Sequence, residues 1–497
     1  MADAQDLKSW DRKKSCRFES DHRHHNAALI SVYAGFVSSG NAKNTRTILF
    51  TFSASTRITV SDAMKRIFIL FAVLISLNAF TEFAGEAPTA AHLREQAAQC
   101  RQILSNSLVN FYLPNCLDRT SGGYKENLDE HGDFTLTGEK FLTLQARHVW
   151  FFSALALEGI ERERSLNAAK HGFTFIHDKM RDRKLGGYFS KVTDEGAPKD
   201  ARKHAYLNAF ALYAFSMYHR ASNDRQALGA SVELFTALDH YAHDGQHGGY
   251  IEFFNPDWTE VTNSTAGGYV GAVGVKTYNT HLHMMEAMAE FFRNTKDPLA
   301  LQRLNELIDI NIDTVLYPTV NANVDAYHRD WTVVDEPNNL RASYGHDIEC
   351  IWLVIDSAKI AGRSPSLYRT WAGKLAGNIM KFGYDREHGG LFESGPLGEP
   401  ANLKRKTWWV QAEALVGFLE LYQLTGNLEY YEAFSKTLDF CAKNHVAQEG
   451  GWWATRNPDG TPTPDKTRTS MWQGAYHAGR SMIECAHRLD ALAKAAK

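Results

Sequence analysis

Three histidines stand in short segments where polar and aromatic residues interrupt otherwise apolar helical patterns. They are His283, His346 and His477. Because an imidazole has an unperturbed pKa of about 6.5, it can take up or release a proton near neutral pH. Several such groups in one chain indicate general acid–base chemistry, in which one group removes a proton and another returns it.

Helical spacing places polar partners beside two of these histidines. Asn279, His283 and Glu286 lie at positions i, i+4 and i+7, so they share one face of a helix. His346 and Glu349 lie at positions i and i+3. We predict that this carboxylate orients the His346 ring and favours its protonated form.

Three further segments carry residues that are unusual in a plain helical bundle. Trp409 and Glu413 are one helical turn apart, and Trp472 comes shortly before His477. Arg147 lies inside an otherwise apolar helix. An arginine in that setting commonly pairs with a buried carboxylate or a helix end, and it can also stabilise negative charge that develops during a reaction.

Each of these features also has a purely structural interpretation. A histidine three residues from a glutamate is more often a surface or core residue than a catalyst, and neighbouring tryptophans usually pack in a core. What favours a functional site is their co-occurrence at corresponding helix starts of separate repeats. Three imidazoles, two carboxylates, an arginine and several indoles are grouped in this way.

The same segments do not suggest a metal centre. His281 and His283 form a His-x-His pair, but side chains two positions apart on a helix point about 200° apart and cannot readily share one ion. The six cysteines, at positions 16, 100, 116, 350, 441 and 485, show neither CxxC pairing nor zinc-ligand spacing. We predict no metal ion, and reversible proton transfer between imidazoles requires no cofactor.

Composition and charge exclude other roles. Lys and Arg number 54 against 57 Asp and Glu, a formal net charge of −3, which gives no electrostatic support for a nucleic-acid partner. A hydrophobic fraction of 44% is ordinary for a globular protein, and 497 residues permit one large domain or two to three domains of typical size.

A repeating helical scaffold must position the candidate residues. A glycine pair followed by an apolar, usually aromatic residue recurs at intervals of 64, 62, 141 and 61 residues, with first glycines Gly122, Gly186, Gly248, Gly389 and Gly450. The interval of 141 is about two periods, which predicts a sixth, divergent member within 321–341. Each unit is long enough for two helices of about 12 to 18 residues.

Six helical hairpins in one domain can close into a ring. We predict an all-α fold, an (α/α)6 barrel of inner and outer helices over about 89–495, within a single domain 87–497. An open solenoid of the same hairpins is the alternative. The longer loops 254–276 and 321–341 would wall a pocket at one end of the barrel.

The first 86 residues differ from the rest of the chain. Met64-Lys65-Arg66 precedes an apolar run over 67–77, which is shorter than the about 20 residues of a membrane span. We predict that 64–86 is a secretory signal peptide and that 1–63 is a non-native or disordered upstream extension. Processing would place the mature protein in the periplasm or outside the cell, without stable membrane insertion. The alternative is a cytoplasmic protein with a buried or anchoring helix in this region.

The chain resembles the N-acylglucosamine 2-epimerase superfamily over nearly all of residues 95–490. The most specific motifs are Asn-Thr-His-Leu-His at 279–283, Ser-Tyr-Gly-His-Asp-Ile-Glu at 343–349, Trp-Trp-Val-Gln-Ala-Glu-Ala at 408–414 and Tyr-His at 476–477. The second motif is similar to that of the disaccharide epimerases in the superfamily. The resemblance implies an (α/α)6 barrel, in agreement with the repeat.

The resemblance also implies roles for individual residues. His346 and His477 match the two catalytic acid/base groups, with Glu349 supporting His346. Arg147 and His283 match the groups that hold the carbonyl or enolate oxygen of the sugar. The residues that match positions lining the sugar site are Tyr206, Asn279, Trp409, Glu413 and Trp472.

The implied activity is epimerisation at C2 of the reducing-end sugar of a β-1,4-linked disaccharide, which interconverts glucose and mannose through an enediolate. Two alternatives on the same scaffold are an aldose–ketose isomerase, acting between mannose or glucose and fructose, and an N-acylglucosamine 2-epimerase. More distant alternatives are a glycoside hydrolase, which needs a carboxylate pair about 5 to 9.5 Å apart, and a non-enzymatic sugar-binding ring.

Overall fold

The structure, a computed structural model, describes residues 86–262, 268–317 and 319–496. These residues belong to one contact unit that spans Phe83–Lys497. The predicted extension 1–63 and the predicted signal peptide, apart from Glu86, lie outside the described residues. Within the described ranges, no helix combines the length and the apolar character needed to cross a membrane.

Helices account for most of the ordered secondary structure in the described residues. In chain order they are α1 Ala90–Ile103, α2 Asn110–Asn115, α3 Leu142–Leu157, α4 Arg162–Phe175, α5 Ala205–Ser222, α6 Arg225–Ala237, α7 Tyr278–Thr295, α8 Pro298–Asp309, α9 Tyr344–Ile360, α10 Arg369–Asn378, α11 Trp408–Thr425, α12 Leu428–Phe440 and α13 Tyr476–Ala495. A short 3₁₀ turn, Pro365–Tyr368, leads into α10.

The odd-numbered helices α3 to α13 form an inner ring, and α1 with the even-numbered helices α4 to α12 forms an outer ring. Each inner helix packs on its neighbours in the inner ring and on an outer helix. Each inner helix is therefore buried around its whole circumference, as in α3, where all residues from Leu142 to Ala156 are buried.

The ring closes between the two ends of the described chain. The last helix, α13, packs on both α3 and α1, so the final inner helix pairs with the first outer helix. This closure confirms the predicted all-α (α/α)6 barrel, and the open-solenoid alternative is wrong. Closure also places the starts of all six inner helices around one axis.

The two ends of the barrel differ in their connections. Inner helices pass to outer helices through short turns, such as the two residues Asn223 and Asp224 between α5 and α6. Outer helices end in a π-helical turn and return to inner helices through long connections. The π-helical turns are Leu104–Val109, Ile176–Met180, Leu238–Ala242, Ile310–Thr314, Ile379–Gly383 and Cys441–His445.

Short antiparallel strands occupy the long connections. They are β1 Asn127–Leu128, β2 Phe134–Thr135, β3 Lys140–Phe141, β4 Lys191–Val192, β5 Pro198–Asp200, β6 Lys203–His204, β7 Phe253–Phe254, β8 Lys276–Thr277, β9 Leu316–Tyr317, β10 Ala322–Asn323, β11 Ala326–Tyr327, β12 Arg341–Ser343, β13 Ser394–Pro396, β14 Lys406–Thr407 and β15 Thr455–Arg456. The strand before an inner helix pairs with a strand of the following connection, as β3 does with β4 and β6 with β7. These pairs join adjacent repeats around the rim.

The glycine-pair turns are locked to the inner helices by a recurring hydrogen bond. Gln145 Oε1 accepts from the backbone N–H of Tyr124 at 2.8 Å, and Gln411 Oε1 accepts from that of Leu391 at 2.8 Å. Asn208 plays the same part, since its Oδ1 accepts from the N–H of Tyr188 at 2.9 Å. Each turn therefore fixes the start of the helix that carries site residues.

The sixth turn lies at the start of the segment that the sequence pattern predicts. β9 pairs with β10 in a hairpin that begins at Leu316, and its second strand lies within the predicted 321–341 segment. Asn321 takes the position of the first glycine and has a positive φ of 53°. Asparagine tolerates that conformation better than most residues, so the turn forms without the glycine pair that would have revealed it.

Candidate active site

A cavity of about 430 Å³ opens at the end of the barrel where the inner helices begin. Nine of the ten predicted site residues line it: Arg147, Tyr206, Asn279, His283, His346, Glu349, Trp409, Trp472 and His477. The predicted walls also contribute, through Tyr269 from loop 254–276 and Asp325 from 321–341. Residues that lie far apart in the sequence therefore meet in one cavity.

His477 stands at the start of α13 and is oriented by a carboxylate from the neighbouring inner helix. Its Nδ1 lies 2.7 Å from Oε1 of Glu413 on α11. Glu413 is fully buried and does not line the cavity, so the prediction that it lines the sugar site is wrong. It instead accepts hydrogen bonds from the His477 ring and from Trp352 Nε1, the latter at 3.0 Å.

His346 faces the same cavity from α9. The centroid of its ring is 4.7 Å from that of Trp409, and the His477 ring is 5.9 Å from the same indole. Trp409 thus lies beside both imidazoles. Within the described residues, the His346 ring nitrogens have no hydrogen-bond partner, so they are free to meet a ligand in the cavity.

Glu349 does not support His346 as its i, i+3 spacing predicts. Its Oε1 accepts from Arg480 Nη2 at 2.7 Å, and its Oε2 is buried without a partner. A buried carboxyl oxygen accepts a stronger hydrogen bond from a charged guanidinium than from a neutral imidazole. Burial and the nearby charge of Glu413 raise the pKa of Glu349 well above its usual range.

The i, i+3 imidazole–carboxylate pair is formed instead by His283 and Glu286 on α7. Nδ1 of His283 lies 3.0 Å from Oε2 of Glu286. Glu286 is completely buried, but Arg480 and His283 lower its pKa to about 2. This carboxylate is therefore ionised and accepts a hydrogen bond from Nδ1–H of His283. Nε2 of His283 is then an acceptor while the ring is neutral.

Arg147 presents a buried positive charge to the cavity. Its Nη1 donates to the backbone oxygen of Trp472 at 2.8 Å, and its Nη2 donates to Tyr206 Oη at 3.0 Å. The guanidinium also packs over the ring of Phe210, 4.4 Å from its centroid. Within the described residues it has no carboxylate partner, so its charge remains available to an anion in the cavity.

Burial lowers the proton affinity of the three imidazoles. It is the main reason that the pKa of His346 falls to about 3, with the neighbouring His283 acting in the same direction. Burial also lowers the pKa of His477 well below its usual range, and Arg147 adds to this effect. The pKa of His283 is lowered by burial as well, so all three rings are neutral at neutral pH.

The remaining predicted sugar contacts supply polar and aromatic surface. Oδ1 of Asn279 is buried without a partner, which leaves an acceptor for a ligand hydroxyl. Trp472 packs edge-on against Phe141, with 4.9 Å between the two ring centroids, and its centroid is 6.3 Å from that of Tyr206. Its half-buried indole offers an apolar face to the C–H side of a sugar ring.

Sequence reasoning missed Arg480, which lies beneath the cavity on α13. Its Nη2 donates to Glu349 at 2.7 Å and to Glu413 at 2.8 Å, and its Nη1 donates to Glu286. The available signal was its spacing, since it follows His477 by three positions and therefore points toward the same barrel axis. Tyr269 and Asp325 were also missed, because loop residues carry no periodic signal, and Trp408 was missed because neighbouring tryptophans usually pack in a core.

One group of side chains within the described residues has the donor set of a metal site. Single ligand atoms of Glu349, Glu413 and His477 lie within 4.8 Å of one another. Arg480 donates to both carboxylates and already supplies positive charge at this point. A cation would have to compete with the guanidinium, so this geometry does not favour metal binding.

The closed helical ring and the imidazole-lined cavity define an (α/α)6-barrel enzyme with an acid–base site. Residues 122–480 match the family described as N-acylglucosamine 2-epimerase (GlcNAc 2-epimerase). The chain belongs to this family.

Individual relatives agree with this membership. A cellobiose 2-epimerase of Ruminococcus albus is 31% identical over 393 residues, which cover 78% of this chain and 97% of the relative. A D-mannose isomerase of Marinomonas mediterranea is 25% identical, with coverage of 74% and 91%. The solved cellobiose 2-epimerase of Spirochaeta thermophila superposes with a TM-score of 0.72 at 29% identity, covering 80% of this chain and 98% of that structure.

Proposed function

We propose that the protein is a sugar 2-epimerase that interconverts glucose and mannose at the reducing end of a β-1,4-linked disaccharide such as cellobiose. The observation that carries this proposal is the shared cavity. His346 and His477 both lie beside Trp409 in it, and Arg147 brings a buried charge that has no carboxylate partner among the described residues.

Epimerisation at C2 requires two proton carriers and a site for negative charge. Only the open-chain aldehyde makes the C2–H bond acidic, because the C1 carbonyl can accept the electron pair. One base removes the C2 proton and leaves an enediolate, and an acid on the opposite face returns a proton to C2. Two imidazoles on one cavity can exchange these parts, which makes the reaction reversible.

His477 is prepared to act as one of these carriers. Glu413 accepts a hydrogen bond from Nδ1–H, so the neutral ring presents the lone pair of Nε2 to the cavity. When Nε2 takes the C2 proton, the carboxylate stabilises the resulting imidazolium, as in other imidazole–carboxylate pairs. His346, whose ring is neutral before a sugar binds, takes up a proton from solvent and returns it to the opposite face of C2.

Arg147 is the fixed donor for the developing oxyanion. Its charge is held in place by Trp472 and Tyr206 and costs no reorganisation when the enediolate forms. His283 acts on a hydroxyl group of the sugar. Its neutral Nε2 accepts a sugar hydroxyl proton, and the protonated ring then donates to the same oxygen.

The preference for a disaccharide rests on the relatives and on the cavity. Four-fifths of this chain aligns with the cellobiose 2-epimerase of Spirochaeta thermophila at a TM-score of 0.72. The imidazoles lie at the buried helix starts, whereas Tyr269 and Asp325 belong to the longer loops of the rim. A reducing-end ring would sit among the imidazoles, and a second ring would extend along the rim.

An aldose–ketose isomerase is the second candidate, and the similarity to a D-mannose isomerase favours it. It shares the enediolate and differs in the carbon that receives the proton. Return to C2 gives the epimer, whereas return to C1 gives the ketose. The same cavity supports both outcomes, and the product distinguishes them.

A glycoside hydrolase is not supported by the carboxylates of this cavity. Hydrolysis needs one carboxyl group to protonate the leaving oxygen and a second to act as base or nucleophile. Glu413 is occupied by His477, Trp352 and Arg480, and it does not line the cavity. Glu349 is tied to Arg480, and Asp325 accepts from the backbone N–H of Asn279 at 3.2 Å.

The experiment is incubation of the purified protein with cellobiose, lactose, mannose and N-acetylglucosamine in D₂O, followed by NMR. We expect the C2 epimer of cellobiose with deuterium at C2. A ketose product would favour the isomerase, and an epimer without deuterium would contradict proton exchange through imidazoles. Binding of the sugars without turnover would indicate a sugar-binding protein.

A further inference from the structure

The carboxylates that orient two site imidazoles meet at a single guanidinium. Arg480 Nη1 donates to Oε1 of Glu286, whose other oxygen accepts from His283. Arg480 Nη2 donates to Oε1 of Glu413, the same atom that accepts from His477. One side chain therefore connects imidazole–carboxylate pairs on two different inner helices.

The guanidinium is itself held in one orientation. Its carbon lies 4.7 Å from the ring centroid of Trp352 and 4.4 Å from that of Tyr476. Tyr476 Oη donates to Glu286 at 2.6 Å. Arg480 is fully buried and does not line the sugar cavity, so it acts on a substrate only through other residues.

The same side chain separates two cavities. A second cavity of about 280 Å³ lies on the other side of this layer, and Arg480 and Glu286 form part of its wall. Arg480 Nε has no hydrogen-bond partner among the described residues. Small solutes that enter the second cavity would reach the guanidinium position without passing through the sugar cavity.

We propose that Arg480 is a positioning residue for proton transfer, which fixes Glu286 and Glu413 so that His283 and His477 both turn Nε2 toward the sugar. This inference rests on the proposed function. Loss of the guanidinium would leave buried carboxylates without a counter-charge, and they would take up protons or reorient. A carboxyl group that has become protonated or has rotated no longer holds the Nδ1 proton of its histidine.

Helix α13 provides a matched control in Arg488. It is also buried, and it also binds several carboxylates, namely Glu420, Asp356 and Glu484. None of these carboxylates contacts an imidazole of the sugar cavity. Arg488 therefore has a similar structural role without a connection to the proposed chemistry.

The first test compares Arg480→Lys and Arg480→Met with Arg488→Lys and Arg488→Met in the full chain. We expect the Arg480 variants to lose about 100-fold in kcat, because a displaced proton carrier costs roughly that much, with KM within about threefold of wild type. The Arg488 variants should lower Tm but keep kcat within about threefold. Unchanged kcat in Arg480→Lys, or a rise in KM alone, would overturn the proposal.

The second test is chemical rescue of Arg480→Ala. Guanidinium at about 50 mM, far below denaturing concentrations, should restore part of kcat by entering through the second cavity. Urea has the same shape without the charge and should not rescue activity. Equal rescue by both solutes, or rescue of Arg488→Ala to the same extent, would indicate a general packing effect and count against the proposal.

A third measurement does not depend on turnover. ¹⁵N NMR of the histidine rings should show protonated Nδ1 in His283 and His477 of the wild type, and loss of this single tautomer in Arg480→Lys. Unchanged ring signals in the variant would overturn the inference about Arg480, whether or not the wild type is active. A wild type without epimerase activity would reject the proposed function and leave this measurement as a separate test of Arg480. Failure of Arg480→Lys to fold, with Arg488→Lys folded, would assign Arg480 to stability and also overturn it.

Discussion

Nδ1 of His477 lies 2.7 Å from Oε1 of Glu413, although the two residues are 64 positions apart on neighbouring inner helices. The (α/α)6 ring creates this pair, because successive inner helices are parallel neighbours that start at the same end. A similar pair within one helix joins His283 and Glu286. The barrel thus prepares imidazoles both within a helix and between helices.

The first prediction concerns the orientation of His477. Glu413→Gln replaces an acceptor-only carboxylate with an amide that can donate, so the Nδ1 proton is no longer uniquely held. We expect kcat for cellobiose epimerisation to fall about 10²- to 10⁴-fold, with little change in KM. Steady-state kinetics and near-UV circular dichroism would measure activity and fold. A variant with wild-type kcat would show that His477 does not need this carboxylate.

The second prediction concerns the two proton carriers. His346→Ala and His477→Ala should each reduce epimerisation at least 100-fold, because one face of C2 loses its acid or base. The fold should be largely retained, since both rings border a cavity. Turnover assays with a Tm measurement test this, and more than about a tenth of wild-type activity in either variant would contradict the two-imidazole mechanism.

The third prediction concerns the unneutralised charge of Arg147. Arg147→Met removes the donors aimed at the enediolate, and we expect kcat to fall about 10²- to 10³-fold. Arg147→Lys keeps the charge but not the planar fork, so it should recover only part of the loss. The measurement is kcat, which should fall from wild type to Arg147→Lys and further to Arg147→Met. Equal activity of the three proteins would exclude a role in oxyanion stabilisation.

The sequence predicts the scaffold and the members of the site better than it predicts their partners. The repeat of glycine-pair turns defines six hairpins, and nine of ten predicted site residues line one cavity. Spacing within a helix, however, assigns Glu349 to His346, whereas tertiary packing gives it to Arg480. Contacts between helices cannot be read from the period of one helix.

Arg480 shows the same limit from the other direction. A single charged residue in an apolar helix reveals that it is buried with a partner but not which partner it has. Glu286, Glu349 and Glu413 come from three different helices and meet only when the ring closes. The sixth turn is a second case, since Asn321 replaces glycine at a positive φ and removes the sequence signal.

The fourth prediction tests how tightly the glycine-pair turns are built. Gly123 has a φ of +71°, and a Cβ there would lie 2.6 Å from Gln145 Oε1. Gly186 has a similar φ of +76° but open space around its Cβ position. Gly123→Ala should therefore lower the free energy of unfolding by about 2 kcal/mol or more, and Gly186→Ala by about 1 kcal/mol. Urea unfolding would measure both, and equal losses would show that the clash with Gln145 is relieved.

The fifth prediction concerns stability in acid. His148 is fully buried beside Tyr112, Tyr124 and Phe152, and neither ring nitrogen has a hydrogen-bond partner in the part of the chain that the structure describes. Burial lowers its pKa to about 3. Since the unfolded chain has an ordinary imidazole pKa of about 6.5, the unfolded state binds more protons than the folded state between these values. This histidine therefore reduces stability progressively as the pH falls from about 6.5 toward 3.

His148→Leu removes this acid-dependent loss while keeping an apolar side chain of similar volume. Relative to wild type, the free energy of unfolding of the variant should rise by about 1.4 kcal/mol for each pH unit below about 6. Urea unfolding at pH 7 and pH 5 would measure the change. Equal shifts at the two pH values would show that the His148 ring binds a proton as readily in the folded protein as in the unfolded chain, so that its burial does not control the acid response.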